Sequence, residues 1–289
     1  MTEDHPTEDN QEIAVQAIFE KTVEGHLCAR VGDTAFAMLP TAGGAFYLAL
    51  ALYSKQPDRQ LRRDDFFGHE GRVVDEVEFR SLIDERMVNQ SELDVLGRRS
   101  VSSQMSTPWG SSQGSTVFGE GVTRHHTAGH GGFHLSHDWI IKVDSRLRNS
   151  RGWYEEDVEW AIVAITLPDL FTSLERREAE RTTRDWLPDA WERISAETIA
   201  PGASYKKDQA AFHKTHANDW IVTSAITSQQ NPGYVETIAS RGGKYERDVE
   251  QRRFLIPSGE YSQGRFGFVV DTSRHETYDG PSSFIGWEN

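Results

Sequence analysis

Four histidines, His125, His126, His130 and His134, fall within ten residues of a glycine-rich stretch from Thr107 to Leu135, and Trp153-Tyr154-Glu155-Glu156-Asp157 follows about twenty residues on. Imidazoles and carboxylates serve both as general acids or bases and as ligands for divalent transition metals. The chemistry open to this set is hydrolysis, with His130 and His134 as ligands or acid/base groups and Glu155, Glu156 or Asp157 activating water opposite them. His130 and His134 are separated by Gly131-Gly132-Phe133, so they are not the helical pair of a zinc protease, which carries an intervening glutamate. In an extended strand residues two and four apart share a face, which would put His130, Gly132 and His134 on one wall and turn Phe133 and Leu135 to the core. On the same reasoning His125 and His126 point to opposite faces, and at most one of them joins. A divalent transition metal held there needs a further ligand from elsewhere, and the same wall could equally just hydrogen-bond its neighbours.

Each of these residues also has a structural reading. Asp and Glu are favoured in a first helical turn by the helix dipole, and Val158, Ala161, Ile162 and Ile165 form a helical stripe, so the triplet reads equally as the start of a helix near Tyr154. Trp109 and Gln113, with the backbone at Gly131 and Gly132, could contact a ligand, although tryptophan beside glycine is also an ordinary packing anchor. No phosphate-binding glycine loop, dinucleotide fingerprint or Gly-x-Ser-x-Gly elbow occurs. Cys28, the only cysteine, excludes an intramolecular disulfide and a thiolate zinc cluster and fits a reducing cytoplasm.

The elements that must carry these residues are mixed. A helix is expected over Gln11 to Val23, then a hairpin of His26–Val31 and Thr34–Leu39 around Gly32-Asp33, and a third strand over Ala45–Tyr53. The uncharged run Thr34 to Ser54 is broken by Pro40, Thr41, Gly43 and Gly44, so it reads as buried strands joined by a turn rather than as a membrane span. A helix is expected over Glu76–Met87 and an exposed connector over Leu96–Ser106. Strands are expected over Gly121–Thr127 and Gly132–Leu135, with a helix capped by Ser136 running to Leu147. Residues 172–197 read as surface helix interrupted at Leu187-Pro188. Tyr205–His216 reads as a further helix, followed by strands over Trp220–Thr227, Tyr234–Ala239, Arg253–Ile256 and Phe266–Val270.

The net charge of −14 is uneven, since residues 1–20 and 151–200 carry −6 each. The rest is near neutral, which argues against both a whole-surface nucleic-acid mimic and a nucleic-acid binder; the acidic parts suit a basic protein partner. The N-terminus is acidic where a signal peptide would be basic, so export is not expected.

Thr107-Pro108-Trp109-Gly110, Gln113, His130-Gly131-Gly132-Phe133 with Leu135-Ser136, and Tyr154-Glu155-Glu156-Asp157 with Trp160-Ala161 resemble, in the same order, segments of a family of unknown function carried by proteobacterial plasmids, integrative elements and phages. Ser204–Phe212 and Arg265–Trp287, with Tyr278-Asp279-Gly280-Pro281-Ser282-Ser283, resemble segments of its longer members. The resemblance brings no activity with it. Gly129 and Val158 stand where that family commonly has serine and cysteine, which leaves histidine and carboxylate chemistry, or none.

The expectation is an α+β fold of mixed helices and small antiparallel sheets with a C-terminal helix plus β-meander, divided as 1–100, 101–200 and 201–289, whose parts could pack as one body. The expected function is that of a mobile-element accessory protein acting as a histidine/carboxylate hydrolase, with or without a metal. The alternatives are a non-enzymatic anti-defence or regulatory protein binding its partner through acidic surfaces, and a glycine-turn motif with no ligand.

Overall fold

The computed structural model describes residues 17–245 and 248–285, and the chain divides into two compact units, Met1–Arg181 and Thr182–Asn289. In the first, apolar alternation builds an antiparallel meander of β1 (Phe19–Lys21), β2 (Leu27–Val31), β3 (Thr34–Pro40), β4 (Phe46–Ala51) and β5 (Gly68–Val73), adjacent in that order. The hairpin expected at Gly32-Asp33 is present, with Gly32 at φ +58° in the left-handed region. Of the helix expected over 11–23, residues 11–16 lie outside the described residues, and Phe19–Lys21 is instead a strand paired with Leu27–Ala29. Pairing wins because it sets Phe19 edge-on to Phe79 at 6.2 Å.

Helix α1 (Glu76–Leu96) starts at Asp75, whose side chain accepts from the Glu78 N–H, and ends at Gly97 with φ +58°. It therefore continues beyond Met87, where the apolar spacing fades. Phe79 and Ile83 pack with Ala29, Val31, Phe36, Leu48 and Val73 on one face of the sheet, while Cys28, Ala37, Leu39 and Ala49 are buried with Tyr47 and Phe66 on the other. Burial on both faces accounts for the uncharged run, and no helix among the described residues is long and apolar enough to cross a membrane. The Cys28 thiol is pushed up to about 12 by burial and then by the nearby carboxylates of Asp58 and Glu20, so it is inert.

A second five-stranded sheet follows. Its strands are β6 (Arg99–Val101), then, after the small hairpin β7 (Ser106–Thr107) and β8 (Gly110–Ser111), β9 (Gly114–Gly119), β10 (Val122–His126), β11 (Gly131–Leu135) and, after the one-turn helix α2 (His137–Ile140), β12 (Trp153–Glu155). The spatial order is β12-β11-β10-β9-β6, all antiparallel. Three expectations change here. The connector over 96–106 supplies β6, which pairs with β9. The helix after Ser136 stops after one turn, because the carbonyls of Ile141 and Val143 are taken by the Arg148 guanidinium at 2.7 and 2.8 Å. The acidic triplet begins at the end of a strand, not in a first helical turn: α3 spans only Trp160–Thr166.

Below this sheet Phe118, Phe133 and Phe171 pack with ring centroids 4.8 to 5.7 Å apart. Arg98 lies 3.8 Å over Phe118 and grips Glu175 with two hydrogen bonds at 2.7 and 2.6 Å, tying the start of the sheet to α4 (Ser173–Trp186). Burial works against the Glu175 charge, yet the bonds from Arg98 and the Thr172 N–H hold its carboxyl below the usual range.

The second unit contains the last residues of α4, then α5 (Pro188–Ser195), α6 (Tyr205–Thr215) and the meander β13 (Trp220–Thr227), β14 (Tyr234–Arg241), β15 (Gln251–Pro257). Pro188 opens α5 where a helix interruption was expected. Trp220, Ala239, Phe254, Ile256 and Val270 form its core. The expected fourth strand, 266–270, is reduced to a bridge of Ile221 with Val269 flanked by two backbone hydrogen bonds. The Glu236 carboxylate is fully buried and accepts from Arg253 Nη1 (3.1 Å), Ser282 Oγ (2.8 Å) and the Ser283 N–H (2.8 Å). Burial opposes its charge, and the hydrogen bonds from Ser283, Ser282 and Arg253 together keep its carboxyl below the ordinary range. The fold is α+β, as expected.

Candidate functional site

Strands β10 and β11 stay in register to the pair His126 and Gly131, and the chain then reverses through Thr127–His130. The Thr127 N–H and hydroxyl both donate to the His130 carbonyl, at 2.9 and 2.6 Å, and the His130 N–H donates back to Thr127 Oγ1 at 3.2 Å, which fixes the histidine at the turn. On the outer side of β11, Gly132 pairs with Glu155, and the Glu156 N–H donates to the Gly131 carbonyl at 3.1 Å. A Cβ on Gly131 would lie 2.6 Å from Glu156 Oε2 and 2.7 Å from the His125 carbonyl, so only glycine lets this carboxylate approach.

The turn and the end of β12 thereby bring His130, Glu155 and Glu156 together, one ligand atom from each lying within 4.8 Å of the others. His130 is exposed and the two glutamates are half-buried. Glu155 is positioned by its own loop: its Oε2 accepts the Asp157 N–H at 2.7 Å, while the Glu155 N–H donates to Glu159 Oε2 at 3.0 Å. Glu156 Oε2 lies 3.6 Å from Arg124 Nη2. One nitrogen and two carboxylate oxygens suit a divalent transition metal. Two donors on one ion at ~2.1 Å lie at most ~4.2 Å apart, so a shared ion would draw the three slightly closer.

The other sequence candidates go elsewhere. Gly132 and His134 do share a face, but His130 stays in the turn, so the expected three-residue wall does not form. His134 lies against Trp153 with ring centroids 4.4 Å apart, Trp153 meets His125 at 5.5 Å and Trp109 at 5.7 Å, and Trp109 covers Gly132 so closely that a Cβ there would sit 2.3 Å from the indole. Trp109 thus packs the space a ligand would need over Gly132. Buried His125 uses Nδ1 to bond Ser115 Oγ at 2.7 Å. Burial, with smaller contributions from His134 and His126, holds His125 below the usual histidine range, and burial does the same to His134. Gln113 is exposed and its N–H donates to the His126 carbonyl at 2.7 Å; Asp157 is exposed beside Glu155. His126 is exposed at the strand end, and its pKa too is lowered, by partial desolvation and then by Arg124.

Sequence reasoning missed Arg124 and Trp160. With Phe118, Phe133, Phe171, Glu156 and Glu175 they line a cavity of about 200 Å³ on the face opposite the histidines. Strand alternation carried the missing signal, since Arg124 neighbours His125 and must point the other way.

No curated protein and no solved structure matches the chain. Residues 102–217, a span that contains the β10–β11 turn and both carboxylates of the cluster, match the family model of a domain of unknown function, DUF7007.

Proposed function

We propose that the protein is a metal-assisted hydrolase whose centre is His130, Glu155 and Glu156. The convergence of one imidazole and two carboxylates within 4.8 Å, from a turn and a neighbouring strand end, carries this reading. A divalent transition metal bound there would supply Lewis acidity and a water acidic enough to attack near neutral pH. The chain's own part is to hold that position: the hydrogen-bonded Thr127–His130 turn fixes the imidazole, and the Asp157 N–H fixes Glu155 for proton transfer from the water. The exposed side of His130 leaves room for substrate. The sequence resemblance supports a role as an accessory of a mobile element, and the single buried cysteine supports work in the cytoplasm. Docking on a basic partner finds less support, because Glu175, Glu178 and Glu192 in the acidic segment are paired with Arg98, Arg181 and Lys207.

Equilibrium dialysis against Mn²⁺ or Zn²⁺ tests the proposal. The wild-type protein should take up about one ion per chain, and His130→Ala and Glu156→Gln should each lose it while keeping the far-ultraviolet dichroism of the parent. Uptake that is unchanged in both variants sinks the reading.

A further inference from the structure

The cavity under the second sheet shares Glu156 with the proposed metal centre, so whatever occupies it sits beside the reacting position. Three phenylalanines and Trp160 make its walls aromatic. Its size, about 200 Å³, exceeds the ~150 Å³ that suffices for a benzene ring in an apolar cavity, and so leaves room for one ring and one polar group. Of the charged side chains that line it, Glu175 is already bound by Arg98 and the Thr172 N–H, whereas Arg124 offers a donor: its Nε is buried and, among the described residues, has no hydrogen-bond partner. A buried N–H left unpaired is costly, and an acceptor on a ligand would remove that cost.

We propose that this cavity binds the acyl half of the substrate, a single aromatic ring bearing a carbonyl or carboxylate, with the ring among Phe118, Phe133 and Trp160 and an oxygen on Arg124. As a statement about substrate it rests on the hydrolase reading above. The substrate class is then an ester or amide of a small aromatic acid. The water oxygen bonds to the carbonyl carbon and the bond to the alcohol or amine breaks; one proton of that water goes to the leaving group, the other to solvent from an ester or to the amine from an amide, and an aromatic carboxylate remains on Arg124. The Arg124 guanidinium already lies 3.6 Å from Glu156, so a carboxyl group held by it falls within reach of the cluster.

Ligand-observed NMR with benzoate, on protein treated with EDTA, tests the cavity without the metal. Saturation transfer to the benzoate ring protons is expected, and acetate at the same concentration should not displace it. Arg124→Lys keeps a cation beside Glu156 but has no Nε–H, and should weaken benzoate about tenfold, whereas His130→Ala should leave it unchanged within about twofold. No benzoate binding, or full affinity in Arg124→Lys, overturns the inference while leaving the metal result standing. Benzoate binding to a protein that takes up no metal overturns the hydrolase reading, and with it the claim about substrate, and leaves only the cavity's preference for aromatic acids.

Discussion

The first unit contains two antiparallel sheets of five strands each, and they are put to different uses. The sheet of β1 to β5 is apolar on both faces, with Phe79 and Ile83 of α1 above and Cys28, Leu39 and Ala49 below. The sheet of β6 and β9 to β12 keeps one apolar face around Phe118 and Phe133 and fills the other with His125, His134, Trp109 and Trp153. The first sheet is stabilised mainly by buried apolar area; the second also depends on close backbone approach and on histidines kept neutral. A chain that needs imidazoles and carboxylates near one turn is served by a sheet whose loops are glycine-rich, at the cost of tight steric limits.

That contrast can be broken, most severely at Phe79. Phe79→Ala should cost about 3–5 kcal/mol in urea unfolding, as for a large side chain removed from a full core, and a loss under about 1 kcal/mol would mean that α1 does not carry the first sheet. In the second sheet a single methyl should do similar harm: Gly132→Ala places a Cβ 2.3 Å from both Trp109 and the Tyr154 carbonyl and should cost about 2–3 kcal/mol. Its counterpart in the first sheet, Gly68→Ala, meets only the movable end of Leu50 at 3.0 Å and should cost less than about 1 kcal/mol; equal losses at the two sites would remove the distinction.

The smallest effect is on pH dependence. The folded pKa values of His125 and His134 are lowered, so below about pH 6.5 the unfolded chain takes up protons that the folded chain refuses. Their contribution to stability is complete above that pH and is lost as the pH falls through it toward the folded values. The depressed carboxyls of Glu175 and Glu236 act in a separate window below about 4.5. Unfolding curves between about pH 7.5 and 5.5 should therefore show falling stability in the wild type and a flatter profile in a His125→Asn, His134→Gln double variant. Parallel profiles would show that the histidines do not titrate as described.

Much of this was legible in the sequence where pattern and turn chemistry agreed. The Gly32-Asp33 hairpin, the strands around His125 and His134, the break at Pro188 and the C-terminal meander each have a local cause. The acidic triplet misled because its composition fits a helix start, while its actual conformation comes from non-local pairing: Phe133 with Tyr154 and Gly132 with Glu155 hold β12, and the Glu155 carboxylate then delays the helix to Trp160 by accepting the Asp157 N–H. The proximity of His130 to the carboxylates was legible as a question. Its answer needed the register of β11 on β12, which no local signal encodes. The side of the strand on which Arg124 lies was legible from alternation, but the cavity below the sheet was not, because Phe171 and Glu175 reach it from a distant part of the chain.

The Glu236 site in the second unit has a consequence for the order in which the chain can finish folding. The Ser282 hydroxyl and the Ser283 N–H, which donate to this buried carboxylate, are synthesised more than forty residues after it. Until those two serines have been made Glu236 lacks their donors, and a buried carboxylate short of partners favours a hydrated, open state over a sealed one. The meander can form its strands early, but it can close over Glu236 only after Ser282 and Ser283 have been made and brought back to it.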